Sequence, residues 1–96
     1  MIVDDEPEIA DLISLYLQNE NFVVFKFYNA ADAYRCIQSE TLDLAILDVM
    51  LPDMDGFEVC RRIRAGDNKI GIIMLTARTQ EMDKVTGLMT GADDYV

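Results

Sequence analysis

Two patterns of apolar and polar positions follow one another along the chain, and they predict two kinds of secondary structure. Short apolar runs are typical of buried β-strands, whereas apolar residues that recur every three or four positions are typical of amphipathic helices. From one end to the other, the patterns predict the order β-α-β-α-β-α-β-α-β. The predicted strands cover residues 1–3, 22–27, 42–47, 70–75 and 94–96.

The segments between these strands carry residues that start and end helices. Pro7 lies where a first helix, running to about residue 20, would begin, and proline is favoured at that position. Asn29 is expected to cap a second helix, and Asp55 a third that ends at Gly66. A weaker fourth helix is predicted for about residues 80–90. The apolar stripe expected along the first helix consists of Ile9, Leu12, Ile13, Tyr16 and Leu17.

This regular alternation of buried strands and helices predicts an α/β fold with a doubly wound parallel sheet. Each strand–helix–strand connection is expected to be right-handed, so that helices cover both faces of the sheet. With 96 residues and no linker or repeat, we expect a single domain over residues 1–96. Ligands of such folds bind beyond the carboxyl ends of the strands, near the point where the strand order reverses.

The composition narrows the chemistry that this fold can carry. Eighteen acidic against eight basic residues give a net charge of −10, which argues against nucleic-acid binding and favours cations or basic partners. The absence of histidine excludes a Ser-His-Asp triad and a zinc site built on imidazole. No apolar run approaches the ~18 residues of a membrane span, and no signal-peptide pattern is present. We therefore expect a cytoplasmic protein without membrane contact, in which Cys36 and Cys60 are reduced core residues.

Carboxylates directly follow two of the predicted strands. Asp4 and Asp5 follow the first strand, and Asp48 follows the third. Parallel strands end at the same edge of a sheet, so these three side chains should converge. Two carboxylates ~4 Å apart repel by about 4 kcal/mol at an effective dielectric constant of ~20, so a cation must separate them or one pKa must rise. Oxygen ligands alone favour a hard ion, Mg²⁺ above all.

A magnesium ion beside an isolated carboxylate fits phosphoryl transfer to that carboxylate. Asp48 stands alone at the end of the middle strand and is the expected nucleophile, whereas Asp4 and Asp5 are the expected metal ligands. Thr76 and Ala77, which follow the fourth strand, can supply a hydroxyl and a backbone N–H to the phosphoryl oxygens.

Four motifs in order resemble the receiver domain of two-component response regulators. They are Ile-Val-Asp-Asp-Glu at 2–6, Leu-Asp-Val-Met-Leu-Pro-Asp-Met-Asp-Gly at 47–56, Leu-Thr-Ala-Arg at 75–78 and Gly-Ala-Asp-Asp-Tyr-Val at 91–96. The second and fourth motifs are most similar to the OmpR/PhoB-type transcriptional regulators, and residues 8–12 and 19–21 to their VanR-like members.

The resemblance implies a flavodoxin-like, CheY-like sheet of five strands in the order 2-1-3-4-5. It implies that Asp48 accepts a phosphoryl group from a sensor histidine kinase, and that the Met50 main-chain carbonyl joins Asp4, Asp5 and Asp48 as an Mg²⁺ ligand. Thr76 is then the switch hydroxyl, Ala77 gives a main-chain N–H, and Tyr95 is the aromatic switch. The output of the full-length protein would be a DNA-binding domain, with no direct nucleic-acid binding by this domain.

The chain departs from the family pattern after Tyr95. The family has a lysine three positions later and then a fifth helix, whereas this sequence ends at Val96. We therefore expect a domain that is incomplete at its C-terminus and lacks the catalytic lysine, with no output domain present. Apolar strand residues such as Ile46 and Ile73 should lack cover. Self-association is expected through that uncovered sheet face or through the face of the fourth helix and fifth strand.

Three other functions can be weighed against a receiver. A calcium-binding EF-hand loop fails because its first and twelfth positions, with Gly56 as the sixth, would be Leu51 and Arg62. A magnesium phosphohydrolase with an aspartyl nucleophile needs a second acid two residues after the nucleophile, where this chain has Met50. A module that binds partners without phosphorylation leaves the three carboxylates unexplained.

Overall fold

The computed structural model describes residues 1–66, 69–75 and 93–95, and these residues form five strands and three helices. In chain order the elements are β1 (Ile2–Val3), α1 (Pro7–Asn19), β2 (Lys26–Phe27), α2 (Ala30–Ser39), β3 (Leu44–Asp48), α3 (Gly56–Gly66), β4 (Gly71–Leu75) and β5 (Asp94–Tyr95).

All strands are parallel and lie in the order β2-β1-β3-β4-β5, which confirms the expected sheet. β1 is short but central, since Ile2 pairs with Lys26 on one side and with Ile46 on the other. β1 and β3 are therefore neighbours, although α1, β2 and α2 separate them in the sequence. The strand order reverses at this pair, and this is where parallel sheets bind ligands.

Side chains of alternate strand residues enter two cores, one on each face of the sheet. Val3 and Leu47 lie in the larger core, together with buried residues of α2 and α3. Ile2 and Ile46 lie in the smaller core, against Ala10 of α1. Helices thus cover both faces, as a doubly wound sheet requires. Cys36 and Cys60 are buried thiols outside any disulfide, as expected.

The first helix packs on the sheet through only part of its predicted apolar stripe. Its buried side chains are Ala10 and Ser14, with the partly buried Ile13 and Leu17 beside them. Leu12 is 54% exposed, and Ile9 and Tyr16 are also exposed. The small Ala10 and Ser14 let the helix approach the sheet closely along their line, and these three side chains of the predicted stripe remain exposed.

The structure differs from two further predictions, the length of the second strand and the exposure of Ile46. The strand predicted for residues 22–27 pairs regularly only at Lys26–Phe27, although the Phe25 carbonyl still accepts the Ile2 N–H at 2.8 Å. Ile46 does not lack cover, because α1 packs on it and leaves it only 8% exposed, whereas Ile73 is half-buried. The helix predicted for about residues 80–90 lies outside the described residues. None of the described helices is long and apolar enough to cross a membrane.

Candidate metal centre at the carboxyl end of the sheet

Three carboxylates meet where β1 and β3 end. Each of Asp4, Asp5 and Asp48 offers one oxygen, and these oxygens all lie within 4.8 Å of one another. The sequence-predicted trio is therefore brought together by the pairing of two strands that are distant in the sequence. Asp4 is buried, Asp48 is half-buried and Asp5 is exposed, so the cluster opens to solvent on one side.

Backbone amides orient two of these carboxylates. Oδ1 of Asp4 accepts the Glu6 N–H at 2.9 Å, and Oδ1 of Asp48 accepts the Met50 N–H at 3.2 Å. In both cases the donor lies two residues later, a turn that aspartate forms readily as a strand leaves the sheet. Each aspartate is thus held at its strand end by a backbone N–H of the loop that follows it. The second oxygen of each carboxylate takes no part in that hydrogen bond.

The environment of Asp48 disfavours a negative charge. Burial is the main cause that raises its pKa, to about 7, and the neighbouring Asp4 and Asp5 raise it further. The N–H of Met50 acts in the opposite direction, because it stabilises the carboxylate. A divalent cation among the three oxygens would remove the repulsion and favour the ionised form.

The donor set fits a hard cation. Carboxylate and carbonyl oxygens are the ligands that Mg²⁺ and Ca²⁺ prefer, and neither thiol nor imidazole takes part in this cluster. Met50, whose carbonyl is the fourth predicted ligand, lies in the loop directly after Asp48 and is 63% exposed. Its N–H is already bound to Asp48, which places its backbone next to the cluster.

Gly56 allows α3 to begin against the end of β3. A Cβ atom at this position would lie 1.9 Å from the main-chain oxygen of Asp48. The Gly56 N–H donates to the Val49 carbonyl at 2.8 Å, which closes the intervening loop. The close approach of α3 to the Asp48 backbone therefore requires glycine.

Gly56→Ala should destabilise the chain by about 1–3 kcal/mol or more, because backbone atoms must move to admit the methyl group. Gly66→Ala is the matched control, since nothing lies within 4 Å of a Cβ at that position. Urea unfolding of both variants measures the difference. Equal stabilities of the two variants would contradict the close packing at Gly56.

The remaining predicted site residues are described only in part. Thr76 and Ala77 lie outside the described residues, but Leu75 directly before them pairs with Asp48 in the sheet. The backbone of Tyr95 lies in β5 and pairs with Met74 of β4. Leu75, the last described residue before Thr76, thus lies beside Asp48 in the sheet.

One contact near the site was missed by sequence reasoning. Asp55 caps α3 as expected, since its Oδ1 accepts the Phe57 N–H at 2.8 Å. Asp53, which the sequence assigns only to a loop, instead accepts two backbone N–H groups of α2, from Ala30 and Ala31. Asp53 lies 23 residues after Ala30 and 22 residues after Ala31, so no local spacing in the sequence indicates this contact.

The geometry agrees with the comparison to known families. The model of the response regulator receiver domain matches residues 1–96, the whole of the chain. The chain belongs to this family. As a receiver domain it is a phosphorylation-dependent signalling domain. Receiver domains bind Mg²⁺ at an acidic pocket, and the cluster of Asp4, Asp5 and Asp48 could hold a metal ion.

The relatives of this receiver domain include a regulatory protein and an OmpR/PhoB homologue. Regulatory protein VanR of Enterococcus faecium is 55% identical over 96 residues, which are 100% of this chain and 41% of VanR. DrrB, an OmpR/PhoB homologue of Thermotoga maritima, is 35% identical with a TM-score of 0.92, over 99% of this chain and 42% of DrrB. The BeF3-activated N-terminal receiver domain of Klebsiella pneumoniae RstA is 35% identical with a TM-score of 0.92, over 99% of this chain and 80% of that domain. The receiver domain thus spans well under half the length of VanR.

Proposed function

We propose that Asp48 accepts a phosphoryl group from a sensor histidine kinase. Mg²⁺ would be held by Asp4, Asp5, Asp48 and the main-chain carbonyl of Met50. The observation that carries this proposal is the convergence of three carboxylate oxygens within 4.8 Å at the switch point of the sheet. Asp48 is the acceptor because it ends the central strand β3 and leaves one oxygen free of the Met50 bond.

The transfer is a substitution at phosphorus. A carboxylate oxygen of Asp48 forms a new bond to phosphorus, and the bond from phosphorus to the kinase histidine nitrogen breaks, with its electron pair left on that nitrogen. When bound, Mg²⁺ supplies positive charge next to the phosphoryl oxygens. The Met50 N–H holds one Asp48 oxygen, so that the carboxylate keeps a fixed orientation toward the incoming group.

Thr76, Ala77 and Tyr95 complete the proposed switch. The Thr76 hydroxyl and the Ala77 main-chain N–H would bind the phosphoryl oxygens, and the Tyr95 ring would respond to the movement of Thr76. Support comes from the register of the sheet, in which Asp48 pairs with Leu75, the residue before Thr76. Tyr95 follows on the next strand, where its backbone pairs with Met74.

We further propose that the domain acts in the cytoplasm and controls a DNA-binding output region in the full-length protein. This rests on its similarity to VanR, of which the chain covers 41%. The receiver itself would not bind nucleic acid, because its net charge is −10. Self-association would use the face of the predicted fourth helix and the fifth strand, or the sheet face that carries the half-buried Ile73.

The competing function, a magnesium phosphohydrolase, has less support. Such an enzyme needs an acid two residues after its nucleophile to protonate the leaving group and activate water. Met50 occupies that position, and its thioether can perform neither task. We therefore propose slow autodephosphorylation rather than catalytic turnover, which a phosphate monoester assay distinguishes.

Beryllofluoride provides a test of the site without a kinase. It mimics a phosphoryl group on aspartate, so beryllofluoride with Mg²⁺ should raise the Tm of the chain by ~10 °C at ligand concentrations ~100 times Kd. Differential scanning fluorimetry measures this shift relative to the chain in the same concentration of Mg²⁺ without beryllofluoride, because Mg²⁺ alone also stabilises a chain that binds it. An equal shift with Asp48→Asn would show that the anion binds elsewhere, which would overturn the proposal.

A further inference from the structure

The loop between β3 and α3 is bound to the start of a helix from an earlier part of the chain. Oδ1 of Asp53 accepts the Ala30 N–H at 2.9 Å, and Oδ2 accepts the Ala31 N–H at 3.0 Å. Both donors lie in the first turn of α2, where backbone N–H groups lack helical partners. The carboxylate of Asp53 thus binds α2 with both oxygens.

The same end of α2 also has an N-cap residue of its own, Asn29, whose role differs from that of Asp53. Asn29 accepts the Asp32 N–H at 2.9 Å through its side-chain oxygen, as an N-cap residue does. The hydrogen bonds of the Asn29 side chain thus go to Asp32 within α2, whereas those of Asp53 join α2 to the loop. The two N–H donors lower the pKa of Asp53, so its carboxylate stays ionised in this contact.

The same loop carries the backbone group that orients Asp48. Met50 donates its N–H to Asp48 and lies three residues before Asp53. Met50 and Asp55 form an antiparallel bridge, which joins the two arms of the loop on either side of Asp53. The neighbouring Met54 sulfur accepts the Tyr34 hydroxyl at 2.8 Å, a second contact between the loop and α2.

We propose that Asp53 is a positioning residue for the phosphoryl-accepting site. By fixing the tip of the loop to α2, it keeps the Met50 N–H on the carboxylate of Asp48 and the Met50 carbonyl beside the three acids. This inference rests on the proposed role of Asp48 and deepens it. Asp53 touches neither the phosphoryl group nor the metal, and it acts through the backbone of Met50.

The test compares Asp53→Ala with Asn29→Ala, two variants that remove side-chain bonds from the same helix end. Each should lower the Tm of the chain by ~5 °C, because each removes a cap from α2. The rate of phosphorylation by acetyl phosphate is followed by intact-mass spectrometry, and the Mg²⁺ Kd by isothermal titration calorimetry. Asp53→Asn is the conservative variant, because its side-chain oxygen can still accept one of the two backbone N–H groups. It keeps the comparison informative if Asp53→Ala fails to fold.

Asp53→Ala should slow phosphorylation and weaken Mg²⁺ binding by ~10-fold, the lower end of the effect of removing groups that orient ligands. Asn29→Ala should keep the parent rate and Kd, and Asp53→Asn should recover part of the loss. If Asp53→Ala and Asn29→Ala lower the rate equally, Asp53 is only a helix cap and the inference fails while Asp48 remains the acceptor. If the parent chain itself takes no phosphoryl group, the proposed function fails and this inference fails with it.

Discussion

Asp48→Asn is expected to end phosphoryl acceptance while making the metal-free chain more stable. The amide cannot attack phosphorus, but its oxygen can still accept the Met50 N–H that Asp48 now accepts. The substitution also removes a charge that burial and the neighbouring Asp4 and Asp5 disfavour. Because Asp48 is partly open to solvent, we expect a gain of only ~1–2 kcal/mol, or a Tm higher by ~5–10 °C.

The stability gain should depend on pH in a defined direction. The pKa of Asp48 rises from 3.8 to about 7 in the folded chain, so between these values the folded state binds more protons than the unfolded state. Stability of the parent therefore falls, through this group, as pH increases from about 4 to 7. The difference between Asp48→Asn and the parent should be small near pH 4 and complete above pH 7.

Thermal melts in the presence of EDTA measure this difference across the pH range. Glu20→Gln, an exposed acid at the end of α1, is the control for loss of a negative charge far from the site. A constant difference between Asp48→Asn and the parent at all pH values would contradict a strained, half-buried carboxylate at Asp48.

Asp4→Asn is expected to have the largest effect on metal binding. Asp4 is 4% exposed, so its charge is poorly screened by water, and its Oδ1 is held in place by the Glu6 N–H. Loss of this charge should weaken Mg²⁺ binding by ~100-fold, as measured by isothermal titration calorimetry. Asp5→Asn should cost less, because Asp5 is exposed. A larger loss for Asp5→Asn would contradict the expectation that the buried carboxylate of Asp4 contributes more to metal binding than the exposed one of Asp5.

Much of the site follows from strand-end positions in the sequence. Apolar runs place Asp4, Asp5 and Asp48 directly after two strands, and a parallel sheet brings strand ends to one edge. The strand order itself followed from resemblance, because the apolar pattern does not state which strands are neighbours. Once β1 and β3 pair, with Ile2 opposite Ile46, the three carboxylates must lie close together.

Other features depend on tertiary packing that local patterns do not encode. The stripe predicted on α1 is only partly correct. The helix approaches the sheet through the small Ala10 and Ser14, which a search for large apolar residues ignores. The bonds of Asp53 to α2 span more than twenty residues and arise only when the loop and the helix end meet. The pKa of Asp48 likewise depends on burial, which appears only in the folded chain.

The role of Asp48 is tested most directly by locating the phosphoryl group. The chain is incubated with acetyl phosphate and Mg²⁺, its intact mass is measured, and the acyl phosphate is then reduced with borohydride before peptide mapping. We predict a single Mg²⁺-dependent adduct of about 80 Da in the intact mass and, after reduction releases the phosphate, a homoserine in place of Asp48 in the mapped peptide. No adduct, or a homoserine at a residue other than Asp48, would contradict the assignment of Asp48 as the acceptor.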